Sequence, residues 1–419
     1  MNMRATADRI ARLLARPLVA ATVCVALLSG TLWTRGAMTI EDYSSTLMGI
    51  RKLVAGDSEH YLAIADALRE GDFRMEHVEP DGGADRAHRQ PGFPAVLALA
   101  GKLGFEGAPA LARVNLALLV ASLWIAYIAV LVATESALAG LVAAMVLFNA
   151  RFLLDIATDR LLTEPLYVAV AVAAAGACLS YLSRAGAVSL LCAAALGGMA
   201  YLVRVNGLFL AVALALVMIA ADILRARRSV PGIGTRELPA HLPLEAYVAA
   251  LALFVVVTTP SWLPRAIYTG NPVYHGYLPN YLWVDDYARA HVPGPPQFSA
   301  STYVAEHSVR DAGERLWYGV RRVFYEVPRD KYGPVISMAL LAAVVILFAL
   351  RDVPGVLLLC AAVLQAMPLA WTAMANPARR LPATALLPFA ALLLAAAAAA
   401  MLRRARSRDA RPNEDDAGA

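Results

Sequence analysis

Asp57 begins the stretch Asp57-Ser58-Glu59-His60-Tyr61-Leu62-Ala63-Ile64-Ala65-Asp66-Ala67-Leu68-Arg69-Glu70-Gly71, which lies between strongly apolar segments. Tyr61, Ile64, Ala65 and Leu68 recur at helical spacing and make one apolar stripe, while Glu59, Asp66, Arg69 and Glu70 take the other directions. Gly71 supplies a stop. The pattern predicts an amphipathic helix lying in a membrane interface with a carboxylate at its tip. Following Gly56, Asp57 stands where an N-cap belongs, and its side chain could simply accept hydrogen bonds from first-turn N–H groups. The alternative is a base held at headgroup level beside a lipid-borne substrate; a carboxylate fully engaged in capping is the weaker base. His60 could tune or share proton transfer, or be no more than an interfacial histidine. In the same hydrophilic loop, Arg89-Gln90-Pro91-Gly92-Phe93-Pro94 is a turn that cannot continue a helix. The apolar piece 95–103 behind it is too short to span a bilayer, so a short re-entrant or interfacial helix is expected beside the Asp57 helix.

The elements that must position these groups are set by composition. Hydrophobic residues make up 59% of the 419 and charged residues 16%, with a mean hydropathy of +0.58. Soluble domains carry about 25% charge. Apolar segments near the roughly 20 residues needed to cross a bilayer recur along the chain. Ten are read, at approximately 17–34, 109–133, 137–154, 163–183, 187–203, 206–224, 244–264, 333–350, 353–372 and 381–402. The expectation is an all-α, polytopic integral membrane protein with interfacial helices in its first outer loop.

Basic residues then orient the chain. Arg4, Arg9, Arg12 and Arg16 precede the first span; Arg225, Arg227, Arg228 and Arg236 share a middle loop; Arg403, Arg404, Arg406 and Arg408 follow the last span. Ten crossings put all three clusters on one side, which the positive-inside tendency makes cytoplasmic, together with both termini. Two large loops, 35–108 and 265–332, are left outside. Trp33, Trp262 and Trp371 fall near the outer ends of their spans, where aromatic rings favour the headgroup layer. Residues 1–402 read as a single transmembrane module, and 403–419 as a disordered cytoplasmic tail ending in Asn413-Glu414-Asp415-Asp416.

Several function classes drop out. The net charge of +5 comes from arginines at membrane flanks, where they meet anionic lipid, and lysine is confined to Lys52, Lys102 and Lys331. No nucleic-acid-binding pattern accompanies it. Cys24, Cys178, Cys192 and Cys360 all sit inside predicted spans as small apolar packers, with no metal spacing. Gly36-Ala37-Met38 is a poor cleavage site, so the first span reads as a retained anchor.

Asp-x-x-x-Tyr-x-x-x-Ala-x-x-Leu-x-x-Gly after the first span, then Arg-x-Pro-Gly-x-Pro, resembles the polytopic GT-C glycosyltransferases. The nearest subset is the group related to protein mannosyltransferases, aminoarabinose transferase and rhizobial lipopolysaccharide sugar transferases. Further segments follow in the family's order: Leu162-Thr163-Glu164-Pro165-Leu166, Tyr201-Leu202-Val203-Arg204-Val205-Asn206-Gly207-Leu208, Pro260-Ser261-Trp262-Leu263-Pro264-Arg265 with Gly270-Asn271-Pro272, and Arg379-Arg380-Leu381-Pro382. Each motif is weak alone; their order carries the likeness. What it implies is transfer of a sugar from a polyprenyl-phosphate donor to a lipid, glycan or protein acceptor at the outer face of a cell inner membrane, with inversion. Asp57 maps onto the family's catalytic aspartate, as general base for the acceptor hydroxyl. The leaving phosphate then needs positive charge, which Arg265, Arg204, Arg89 or Arg379 could supply bidentately. Each arginine also has a structural reading: Arg204 as a residue snorkelling from a span boundary, Arg265 as the anchor of a helix end, and Arg379 and Arg380 as flanks of the last span.

Glu59, Asp159 and Glu164 are candidate auxiliary acids toward the acceptor. Asp155, Asp159 and Glu164 cluster in one short outer loop and could hold a divalent cation through oxygen ligands, or solvate the loop and cap the next helix. Asp285-Asp286 is a superficial metal pair. Two departures from the family count against an acid pair with bound metal: Ser58 separates Asp57 from Glu59, and Arg89-Gln90 stands where some members carry a second acid. The rivals are an enzyme like the O-antigen ligases or polymerases, and a lipid or solute transporter. A transporter should break its helices and place charge near the midplane.

Overall fold

The computed structural model describes residues 16–72, 76–78, 84–86, 89–226, 242–273, 278–290, 298–376 and 378–409. Arg4, Arg9, Arg12, Arg227, Arg228, Arg236 and the acidic end of the chain lie outside the described residues. Apart from a pair of short antiparallel strands, Glu76–Val78 and Ala84–Arg86, with Glu76 opposite Arg86, the regular structure of the described residues is helical.

Every apolar segment read from the sequence is helical. Among the described residues, eight helices are long and apolar enough to cross a membrane: Pro17–Ser44, Ala108–Thr134, Glu164–Arg184, Gly207–Ala226, Leu244–Ile267, Val309–Ala349, Val353–Trp371 and Arg380–Ser407. Ala137–Asn149 and Arg151–Asp159, bent by 55° at Ala150, meet the same test only as a pair and make a ninth when taken as one span. The remaining segment, Ala187–Val203, is a shorter apolar helix of 17 residues, about 25 Å long. The chain is therefore a polytopic membrane protein. Its two most buried spans, Glu164–Arg184 and Arg380–Ser407, are rich in alanine, and such small side chains let helix backbones approach closely where no hydrophobic effect drives association in lipid.

Successive segments run between two ends of one bundle. At one end, the Thr22 hydroxyl meets that of Tyr127 at 3.0 Å. Arg184 pairs with Glu135 at 3.0 Å, and Arg403 with Asp352 at 2.7 Å. Both described termini thus lie at this end. The other end gathers the Asp57 helix, the starts of the Glu164 and Arg380 helices, and the turn after Val203.

The elements of the two long loops differ in detail from the sequence pattern. The first helix continues to Ser44, past the expected hydrophobic limit, and an additional short helix, Leu47–Val54, is capped by Thr46, whose side chain accepts from the Gly49 amide. The amphipathic helix runs Asp57–Arg69, as the apolar stripe requires, with Tyr61, Ile64 and Ala65 buried. Gly56 is its N-cap with φ at 65°, so Asp57 occupies the first helical position and its carboxylate is released from capping. Gly92–Lys102 is the short apolar helix expected after Pro91. In the second loop, Val309–Ala349 is nearly continuous through two π-helical turns, Arg322–Glu326 and Pro328–Tyr332. At about 60 Å it is twice the hydrocarbon thickness, so its first half extends beyond the bilayer. The last helix runs on to Asp409, making 403–409 helical where a disordered tail was expected; 410–419 lie outside the described residues.

Candidate functional site

Two glycines bring the site's backbone together. A Cβ on Gly92 would lie 2.7 Å from the Leu202 carbonyl oxygen, and one on Gly207 would lie 2.2 Å from the Ala200 carbonyl carbon. Only glycine tolerates either approach. The Pro-Gly turn therefore seats directly on the end of the Ala187–Val203 helix. There Arg204 breaks into extended backbone and the amide of Gly207 closes on its carbonyl at 2.9 Å. Phe93 is fully buried and meets Tyr61 edge-on at 5.4 Å, which fixes the Asp57 helix against the Gly92 helix.

Asp57 projects from this junction into a group of arginines. Its Oδ1 accepts from Arg89 at 2.6 Å and its Oδ2 from Arg380 at 2.8 Å. Glu164, at the start of its helix and 1% exposed, lies 2.9 Å from an Arg204 Nη and 3.5 Å from the Arg380 Nε. Arg204 also donates to the Thr163 hydroxyl at 2.7 Å. Asp57 and Glu164 thus share Arg380, and three guanidinium groups face two carboxylates. Burial would by itself push the Asp57 carboxyl up, but Arg89, Arg380 and Arg204 together hold it below the 3.8 usual for aspartate. Burial likewise opposes charge on Arg204, and Glu164 foremost among its neighbours keeps it firmly protonated. Tyr61, lying under Arg89 at 5.6 Å, has its phenol pushed up by burial and acts as an apolar support.

Arg265 stands behind this group. Fully buried, it donates to the Arg89 carbonyl at 3.1 Å, to the Ser261 carbonyl at 3.1 Å and to the Ser261 hydroxyl. Ser261 in turn donates to Gln90 at 2.8 Å. These bonds fix the backbone of the Arg89-Gln90 step.

The structure gathers Asp57, Arg89, Arg204 and Glu164, with Arg265 one contact away. The remaining candidates lie elsewhere. Arg379 points to Asp330 and, at 3.9 Å, to Glu326 in the π-helical turns; its neighbour Arg380 is the residue that reaches Asp57. Asp159 pairs with Lys52 at 2.8 Å, Asp155 is exposed, and Glu59 is exposed on the outer face of its helix. The three acids Asp155, Asp159 and Glu164 therefore do not converge, and among the described residues no three His, Cys, Asp or Glu side chains come together to hold a metal ion.

A second arginine constellation was not among the groups expected from the sequence. Arg315, 1% exposed, donates to the carbonyls of Trp371 at 2.8 Å and Tyr281 at 2.9 Å and lies 2.9 Å from Asp285. It packs over the rings of Trp371 and Tyr303 at 4.6 and 5.0 Å. His307 stacks on Tyr303 and reaches the other Asp285 oxygen at 3.1 Å. Arg315 thus clips the second long loop to the end of the Val353–Trp371 helix, with Asp285 holding both Arg315 and His307. The one clue in the sequence was Gly319, a turn beyond Arg315, where a Cβ would overlap the Ala370 carbonyl.

No protein-family model, no curated protein and no solved structure matches this chain.

Proposed function

We propose that this chain is a membrane glycosyltransferase of the GT-C kind, which moves a sugar from a polyprenyl-phosphate donor to a lipid, glycan or protein acceptor. The reading rests on the Asp57 cluster: one ionised carboxylate at a bundle end, faced by Arg89 and Arg380 and backed by Arg204. Base and phosphate-matching cations are the two components the reaction needs. The acceptor oxygen bonds to the anomeric carbon as the bond from that carbon to the phosphate oxygen breaks. The electron pair leaves with the phosphate, the hydroxyl proton passes to Asp57, and the guanidinium groups take up the developing charge. Attack opposite the leaving phosphate inverts the anomeric centre. No metal is required by this scheme, since arginine supplies the positive charge.

The charged clusters at the two ends of the bundle favour this reading over a transporter, which needs its binding site near the midplane. In the proposed topology the Asp57 end faces outward from a bacterial inner membrane and both termini are cytoplasmic. The test is incubation of the purified protein with a panel of polyprenyl-phosphate sugars and lipid, glycan or peptide acceptors, followed by product stereochemistry. Transfer with inversion that depends on Asp57 supports the reading; transfer undiminished in Asp57→Asn removes the base.

A further inference from the structure

Asp57 has no oxygen to spare. Arg89 holds one at 2.6 Å and Arg380 the other at 2.8 Å. A carboxylate doubly bonded to guanidinium groups is stabilised as the anion and is a poor acceptor for a hydroxyl proton. The same two arginines are those a phosphate would need.

We infer that Asp57 and the donor phosphate compete for Arg89 and Arg380, so that the donor must bind first and thereby release the base. The inference rests on the phosphate-donor reading above and adds to it an order of binding.

The surroundings are built for such an exchange. Arg380 already has a second carboxylate to turn on, because its Nε lies 3.5 Å from Glu164 while its Nη2 bonds Asp57. Glu164 is buried and is itself fixed by Arg204 at 2.9 Å, so it stays in place while Arg380 pivots. Arg89 has its carbonyl bonded by Arg265 at 3.1 Å, and the adjacent Gln90 is bonded by Ser261 at 2.8 Å. Its backbone is anchored, so a change of partner is confined to its side chain. Charge is balanced throughout. Arg89, Arg204 and Arg380 exceed Asp57 and Glu164 by one positive charge, which a phosphodiester donor neutralises. When the phosphate leaves as a dianion, the proton gained by Asp57 compensates for the charge that the phosphate gains.

The experiment is equilibrium binding of a short-chain polyprenyl methyl phosphate to the purified full-length protein in detergent. This diester carries one negative charge over the whole working range. Wild type, Asp57→Asn and Arg380→Gln are compared, each checked for cooperative thermal unfolding. Competition predicts that Asp57→Asn binds at least about tenfold more tightly than wild type, and that Arg380→Gln binds more weakly. A carboxylate that only orders the arginines predicts equal or weaker binding by Asp57→Asn, and that result overturns the inference while leaving the phosphate site intact. Saturable binding by neither wild type nor Asp57→Asn overturns the phosphate reading and the inference with it. Should Asp57→Asn fail to fold, wild type decides alone: lowering the pH must strengthen probe binding, because protonation of Asp57 removes the competing carboxylate, and an affinity that stays flat or falls rejects the competition.

Discussion

Two arginine clusters lie toward the same end of the bundle, and their partners distinguish them. Arg315 is met by two backbone carbonyls, one carboxylate and two aromatic faces. Its side chain has no exposure. Backbone acceptors cannot move aside for a ligand without unfolding the segment that carries them. Arg89 and Arg380, by contrast, share the Asp57 carboxylate as a partner, remain 21% and 31% exposed, and belong to a group with one guanidinium in excess. Side-chain partners on a partly open, positively biased cluster can be exchanged. Burial alone does not mark an arginine as functional; the identity and mobility of its acceptors do.

The largest expected effect falls on activity and separates the clusters outright. Asp57→Asn, which keeps shape and removes basicity, should lower sugar transfer by about 10²–10⁴-fold under assay conditions that wild type supports, while thermal unfolding stays cooperative. Arg315→Met should do the reverse. Loss of Arg315 leaves the Trp371 and Tyr281 carbonyls without their donor, at about 1–3 kcal/mol each, and leaves the partly exposed Asp285 carboxylate to His307 alone. The readout is a large drop in unfolding temperature, with polyprenyl methyl phosphate binding retained at temperatures where the variant is folded. Loss of binding without loss of stability would place Arg315 in the site and erase the distinction drawn here.

Neighbouring arginines give a finer test. Arg380→Gln should weaken binding of that probe about tenfold or more, the scale of a charge-assisted bond to phosphate. Arg379→Gln should change it by less than about twofold, because Arg379 is 46% exposed and paired with Asp330. Equal losses from both would mean that the step before the last span acts as a diffuse positive patch.

What was legible in the sequence follows from how each signal is encoded. Membrane spans are written in long apolar runs, and all ten segments are helical. The Asp57 helix was legible because Tyr61, Ile64 and Ala65 mark one face, and the short Gly92 helix because Pro91 and Pro94 bracket its start. The 55° bend at Ala150 has no comparable mark, since both pieces are apolar enough to read as one. At the site, the type of each residue was readable but its partner was not. Arg379 and Arg380 are adjacent, yet helical rotation sends one to Asp330 and the other to Asp57. Asp285 looked like half of a metal pair because its partners, Arg315 and His307, are 30 and 22 residues further along the chain. Ion-pair geometry depends on contacts between distant segments, which periodicity cannot reveal.

The pH dependence sharpens the exchange of arginine partners. The transfer reaction needs Asp57 ionised, so activity falls as pH drops through its titration. In the free protein, Arg89, Arg380 and Arg204 hold that titration below 3.8. The acid limb of kcat/KM, which reports the free enzyme, should therefore lie below the ordinary aspartate range. Once phosphate has drawn Arg89 and Arg380 away, burial dominates and the carboxyl rises, so the acid limb of kcat should lie at higher pH. Coincident limbs would mean that Asp57 keeps its arginines in the complex.

The smallest effect concerns Lys52 and Asp159, a pair that is neither clamp nor site. They meet at 2.8 Å with side chains 42% and 28% exposed, and Lys52 also donates to the Tyr43 hydroxyl at 3.0 Å. An exposed pair of this kind contributes about 0–1 kcal/mol, so Lys52→Met should shift thermal unfolding only slightly and leave probe binding within about twofold of wild type. The substitution frees Asp159 without altering it. If Asp159 serves the acceptor as an auxiliary acid, its release should change the KM for the acceptor while kcat for the transfer step holds. If it only ties the Leu47–Val54 helix to the bend before Glu164, acceptor kinetics should not respond. The contacts favour the second outcome: Asp159 is bonded away from Asp57, and the Leu161 amide already bonds the Leu53 carbonyl at 3.3 Å across the same junction.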